Sequence, residues 1–127
     1  MRFPYVRVRE TYYPIIPVIL KSGRIEFKTD ALIDSGASIS VFQGSIAEYL
    51  GLDIESGERR IFQGIGGKIV GYAHPLTLVM RDLEFPCLIA FSNELVSSLN
   101  LIGREDFFEQ FLITFDEVGK SVELTAR

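Results

Sequence analysis

The chain reads as a mostly β protein. Val, Ile, Phe and Tyr gather in short runs, turn residues interrupt those runs at short intervals, and no long stretch keeps helical spacing. Its 127 residues, 47% apolar and 24% charged, have the balance of an ordinary globular protein and the length for one core, so residues 1–127 are read as a single domain.

Residues 13–20 form the first long apolar run, Lys21, Ser22 and Gly23 supply turn chemistry, and residues 24–33 alternate in part, with Ile25 and Phe27 on one face. The result is a hairpin that delivers Asp34 at its far end. Over 43–50, Ile46, Ala47, Tyr49 and Leu50 take helical spacing and Gly51 stands ready to stop the turn, which predicts a short helix. A second hairpin is predicted over 59–72 around Gly64, Ile65, Gly66 and Gly67, whose three glycines free the tip of side-chain bulk. Strands over 75–80 and 83–91 flank a tight turn at Arg81 and Asp82. Phe107, Phe108 and Phe111 fall at i, i+1 and i+4, predicting a core-packed helix over 104–111. Residues 112–115 and 121–124 close the chain as a last hairpin.

Composition excludes several functions. The net charge is −4, the pI is near 5.0 and the Lys and Arg residues are scattered, so no basic stripe exists to follow a phosphate backbone and nucleic acid is not a partner. Cys87 is the one cysteine and lies in an apolar run, which predicts a buried, inert thiol and no intrachain disulfide. With a single His beside it, no zinc site of His and Cys ligands can form within one chain; no metal and no other cofactor is expected. His74 has no Gly-x-Ser-x-Gly elbow to serve and is read as an incidental surface or edge-strand residue. The first ten residues carry Arg2, Arg7 and Arg9 without an apolar stretch, unlike a secretory leader, and no uncharged run is long enough for a spanning helix. These features predict a cytoplasmic protein without a membrane partner.

The informative segment is Ala31-Leu32-Ile33-Asp34-Ser35-Gly36-Ala37-Ser38. An acid that leaves an apolar strand and enters a Ser-Gly turn stands where few carboxylates are welcome, although Asp, Ser and Gly also suit a plain turn. Downstream, Gly64-Ile65-Gly66-Gly67-Lys68 suits a flexible hairpin. A phosphate loop is ruled out there, because Phe62 stands where glycine is required and Ile69 where Ser or Thr is. Leu101-Ile102-Gly103-Arg104 begins 67 residues after Asp34.

Taken in order, these three segments resemble the retropepsins, the retroviral-type aspartic proteases. That family carries Asp-Thr/Ser-Gly-Ala after apolar residues, a glycine-rich flap tip, and an apolar-apolar-Gly-Arg segment leading to a C-terminal helix. The resemblance implies a closed, barrel-like acid protease fold with one or two short helices, and an endopeptidase acting on peptide or protein substrates. Hydrolysis without a metal or a covalent nucleophile needs two carboxyls, one as base toward water and one as acid toward the carbonyl oxygen. A chain with one Asp-Ser-Gly run supplies them as a homodimer, in which two Asp34 side chains face each other across a two-fold axis and share one proton. By the same resemblance Ser35 ties the two loops together, Gly36 permits close approach, and Ala37 lines the substrate cleft. Gly64, Ile65, Gly66, Gly67 and Lys68 close over the bound peptide, while Leu101, Ile102 and Gly103 support the loop from beneath.

The chain departs from the family at Ser38, where an acidic partner for the later Arg is common, so Arg104 either takes another partner, with Asp30, Glu105 and Asp106 as the candidates, or serves only the helix start. It departs also at Lys68, where an apolar residue is usual, and in an N-terminal stretch before Tyr13. A different class of function fits the same residues: a dimerisation or peptide-binding module that kept the fold without turnover.

Overall fold

The computed structural model describes residues 1–64, 67–95 and 98–127. Strands β1 (Arg2–Pro4), β2 (Val6–Val8) and β3 (Thr11–Tyr13) occupy the N-terminal stretch. Then β4 (Ile15–Ser22) and β5 (Ile25–Ile33) pair antiparallel over their full length around Gly23, whose φ of +59° is the left-handed turn geometry that glycine adopts without strain. This is the hairpin expected from the sequence, and Asp34 follows its last residue.

The main sheet is assembled from β4 and β5 together with β6 (Ser40–Gln43), β7 (Glu58–Gly64), β8 (Gly67–Met80), β9 (Leu83–Ser92) and β10 (Asn100–Ile102). Its order is β4-β5-β10-β6-β9-β8-β7, and a further pairing of β4 with β8 closes six of the strands into a ring with β7 outside it. Closure covers what would otherwise be exposed ladder edges. Inside the ring lies a core that draws on Ile16, Leu20, Phe42, Leu78, Ile89, Phe91 and Ile102, each at most 1% exposed. The helix α1 (Gly44–Tyr49) lies against it through Ile46 and Ala47, where the sequence predicts it. Among the described residues, no helix is long and apolar enough to cross a membrane.

A smaller sheet, ordered β1-β12-β11, joins the chain's start to β11 (Phe111–Asp116) and β12 (Ser121–Ala126), and contributes Phe3, Phe111, Val122 and Leu124 to the same core. Thus the N-terminal stretch, unassigned from sequence, is tied to the C-terminus by β-pairing at Phe3 and Val122.

Three local expectations are corrected. First, residues 104–111 form no regular helix: Glu105 and Asp106 have non-helical dihedrals, Asp106 is left-handed at φ +67°, and Phe111 already pairs with Ala126 in β11. The Asp106 carboxylate accepts a hydrogen bond from the Leu88 backbone N–H at 2.7 Å, which holds the kink, while Phe107 and Phe111 still pack on Phe85 in the core. Second, the strand predicted to end near Tyr72 runs on through Pro75 to Met80. Third, His74 is buried inside that strand, its Nε2 2.8 Å from the Ile54 carbonyl and its ring against Phe91, so it is a satisfied core residue rather than a surface one. Cys87 is buried as expected, and burial, assisted by the negative charge of Asp106, pushes its thiol up to about 12.

Candidate active site

Strands β5 and β10 run parallel and in register, Ile33 beside Ile102, so the segments that leave them emerge side by side. This brings residues separated by 67 positions in sequence, Asp34 and Leu101, to one end of the ring. Asn100 sets the arrangement. Its buried side chain donates to Thr29 Oγ1 and to the Asp30 carbonyl, both at 3.1 Å, and accepts from the Gln43 N–H at 2.9 Å, joining β10 to both neighbours. A buried amide costs stability unless satisfied, and here both ends of it are.

Four hydrogen bonds then fasten the Asp34 loop to the segment after β10. The Asp34 N–H donates to the Ile102 carbonyl at 2.9 Å, and the N–H groups of Arg104 and Glu105 donate to the carbonyls of Ala37 and Ser38, each at 2.9 Å. The Gly103 N–H donates to the buried Ser40 Oγ at 3.0 Å. Within the loop, the Gly36 N–H donates to Asp34 Oδ1 at 2.9 Å, which fixes the rotation of the carboxylate. A Cβ on Gly36 would stand 3.2 Å from that same oxygen, so glycine keeps the carboxylate uncrowded. Asp34 is half-buried; Ser35, Gly36 and Ser38 are exposed.

Asp34 opens onto a cavity of about 420 Å³. It is lined by Gly36, Ala37, Ser38 and Ile39 from the loop, Val41 of β6, Leu101 of β10, Ile61, Phe62, Gln63, Gly67 and Ile69 of the β7–β8 hairpin, and Leu95. The wall is mainly aliphatic and aromatic, and among the described lining residues Asp34 is the one with a charged side chain. Of the residues singled out from sequence, Asp34, Gly36, Ala37 and Gly67 line this cavity, whereas Ser35 and Lys68 are exposed and do not. Gly64 pairs with Gly67 at the end of the hairpin, and Ile65 and Gly66 lie outside the described residues. Leu101 belongs to the cavity rather than lying wholly beneath the loop, while Ile102 and Gly103 are buried under it.

Sequence reasoning missed Ile39, Val41, Ile61, Phe62, Ile69 and Leu95. Each is an apolar residue on a strand or loop, and nothing in local pattern separates an apolar residue that faces a cleft from one that faces the core. It missed the role of Asn100 as well, for which a lone amide in front of an apolar Leu-Ile pair was the available signal. Among the described residues, the ion pair at this junction is made by Glu105, not Arg104. Arg60 of β7 reaches Glu105 at 3.5 Å and Glu58 at 2.6 Å, linking the hairpin to the segment that holds the Asp34 loop.

Residues 18–105 match the family described as aspartyl protease. Among solved structures, a retropepsin-like aspartic protease from Rickettsia conorii superposes with a TM-score of 0.70 at 18% identity, over 96% of this chain and 97% of that one. EIAV protease in complex with the inhibitor HBY-793 superposes with a TM-score of 0.53 at 19% identity, over 78% of this chain and 88% of that one. No curated protein matches the sequence. A fold that superposes on theirs, an Asp-Ser-Gly loop fastened to a Leu-Ile-Gly segment, and a family match across most of the sequence lead to one assignment: the chain belongs to the aspartyl protease family and has a retropepsin-like fold.

Proposed function

We propose that the protein is an aspartic endopeptidase that works as a homodimer, with one Asp34 from each copy at a shared active site. The observation that carries this reading is the Asp34 loop itself, a carboxylate held in fixed rotation by the Gly36 N–H at the wall of an apolar cavity. Preorganised polar groups in a water-poor cleft act on a reaction without having to reorganise during it. One chain brings one such carboxyl, and peptide hydrolysis by acid and base requires two.

In the dimer one carboxyl is ionised and the other protonated. The carboxylate takes a proton from water, whose oxygen bonds to the substrate carbonyl carbon, and the acid gives its proton to the carbonyl oxygen. The resulting gem-diol breaks its C–N bond as the nitrogen is protonated and one hydroxyl proton returns to a carboxylate, releasing an acid and an amine. Ser35, exposed on the loop, is assigned to contact between the two loops, and Gly36 to their close approach. Ala37 and Gly67 are assigned to the substrate's backbone side, and Gly64, Ile65, Gly66 and Lys68 to the tip that folds over it. An extended peptide suits a cleft walled by strands, its side chains entering alternate pockets. Residues 1–127 act as one domain in this reading, supported by a core to which both termini contribute. A cytoplasmic setting belongs to the same reading.

The test is Asp34→Asn. Cleavage of a peptide library is expected to fall by about a thousandfold or more, with sedimentation and thermal unfolding unchanged, and a statine peptide is expected to inhibit the wild-type enzyme. Undiminished cleavage by the Asp34→Asn protein would refute the mechanism. A wild-type dimer that binds peptides and never cuts them would mark a binding module instead.

A further inference from the structure

We infer that the ribbon formed by β2 and β3 is an arm that seats on a second copy of this chain; the inference rests on the proposed pairing of the Asp34 loops. Among the described strands, β2 and β3 pair only with each other, through Val6 with Tyr13, Arg7 with Tyr12 and Val8 with Thr11, around Arg9 at φ +59°. Seven of the eight residues from Val6 to Tyr13 are exposed, and Val6, Val8 and Tyr12 keep about two fifths of their surface (43%, 38% and 43%) in water. A two-stranded hairpin with no sheet beneath it is at best marginally stable by itself.

This ribbon is nevertheless held firmly at both ends. At its start, the buried Tyr5 donates its N–H to the Lys120 carbonyl and its hydroxyl to Glu117 Oε1, both at 2.8 Å. At its end, the Pro14 carbonyl accepts the N–H of Ile33, the residue before Asp34, at 3.0 Å. The arm is therefore rooted beside the Asp34 loop, where a copy that brings its own Asp34 to meet this one must arrive.

Two quantities favour a second copy as the occupant. A stable interface needs about 800 Å² and 20–30 residues from each partner, far more than the exposed Ser35, Gly36 and Ser38 provide, and the exposed ribbon ends next to Pro14, whose carbonyl is bonded to the residue before Asp34. The charges are also self-complementary. The ribbon carries Arg7 and Arg9 against the single acid Glu10, and the turn to which its root is fastened carries Asp116 and Glu117 against the single base Lys120, so a two-fold axis that set arm against turn would pair net opposite charges twice over.

The test compares wild-type protein with a Val6→Ser, Val8→Ser double variant, and with a second variant in which residues 6–13 are replaced by Gly-Gly between Tyr5 and Pro14. Sedimentation velocity over a concentration series reads the dimer dissociation constant, and peptide cleavage is followed at the same concentrations. The dissociation constant is expected to rise at least tenfold in both variants, with turnover per dimer restored at high concentration. An unchanged constant in both variants overturns the inference. So does a loss of dimer on Leu112→Lys alone, which would place the interface along β11, and so does a wild-type chain that stays monomeric throughout. Asp34→Asn separates the two readings: it removes cleavage and leaves the dimer, so a failed protease and a failed arm give different results.

Discussion

A methyl group on Gly103 would sit 2.8 Å from the Ile39 nitrogen and closer still to that residue's carbonyl carbon and oxygen. All three are backbone atoms of the chain that returns from the Asp34 loop, so no side chain can swing aside to make room. Glycine is required here by close approach and not by dihedral, since the φ of Gly103 is −99°. Gly103→Ala is expected to lower stability by about 3 kcal/mol, in the overpacking range, as read by urea denaturation. If the loop is the catalytic one, turnover should fall with it, because the next two N–H groups in the chain hold Ala37 and Ser38. An Ala variant as stable as wild type would show that the loop and its support are looser than these contacts require. This residue was legible as part of an apolar-apolar-Gly-Arg run, but the atom it must avoid was not. Ile39 is 64 residues away in sequence, and the antiparallel pairing of β10 with β6, with Leu101 opposite Val41, brings the two together.

At the level of elements, the β4–β5 hairpin, α1, the β7–β8 hairpin and the β11–β12 hairpin are where apolar runs and turn residues placed them, because each depends on local chemistry alone. The exceptions have long-range causes. Pro75 suggests a break, yet β8 continues through it. Pairing with β7 ends at Ala73 and pairing with β4 begins at Thr77, so Pro75 lies where one edge of the strand has no neighbour and a missing N–H is tolerated. Similarly, the spacing of Phe107, Phe108 and Phe111 identified core residues correctly but not their backbone, since a kinked turn entering a strand buries Phe107 and Phe111 as a helix would. What decides between them is Asp106, left-handed and bonded to the Leu88 N–H across from β9. Removing that carboxylate leaves the half-buried Leu88 donor unpaired. Asp106→Ala is therefore expected to cost about 2–3 kcal/mol. Asp106→Asn, which keeps an acceptor for the Leu88 N–H, should cost about half as much or less. Chemical denaturation of the three proteins checks the order, and an Ala variant equal to the Asn variant would remove the hydrogen bond as the cause of the kink.

Across the whole molecule, the chain's two ends hold each other. The Met1 amino group donates to the Leu124 carbonyl and the Leu124 N–H returns to the Met1 carbonyl, both at 2.8 Å, while Tyr5 bonds the turn between β11 and β12. Burial, then the Glu117 hydrogen bond and the charges of Glu117 and Asp116, push the Tyr5 phenol from 10.0 up to about 12. That shift makes terminal closure dependent on alkali in a determined direction. Below pH 10 folded and unfolded chains both keep the phenolic proton, and the bond to Glu117 contributes in full. Between 10 and about 12 the unfolded chain gives up the proton while the folded chain retains it, so unfolding gains with every step in pH. Above that range the folded chain would hold a phenolate against a carboxylate, and the contribution is gone. Tyr5→Phe removes the group from both states. The stability difference between wild type and Tyr5→Phe should be about 1.5–3 kcal/mol at pH 8, the range for a hydrogen bond to a charged acceptor. It should shrink steadily from pH 10 to 12. Denaturation curves of the pair at intervals over that range give the difference directly, free of the other tyrosines and lysines that titrate in both proteins. A gap that stays constant to pH 12 would mean that Tyr5 does not join the two ends through its proton.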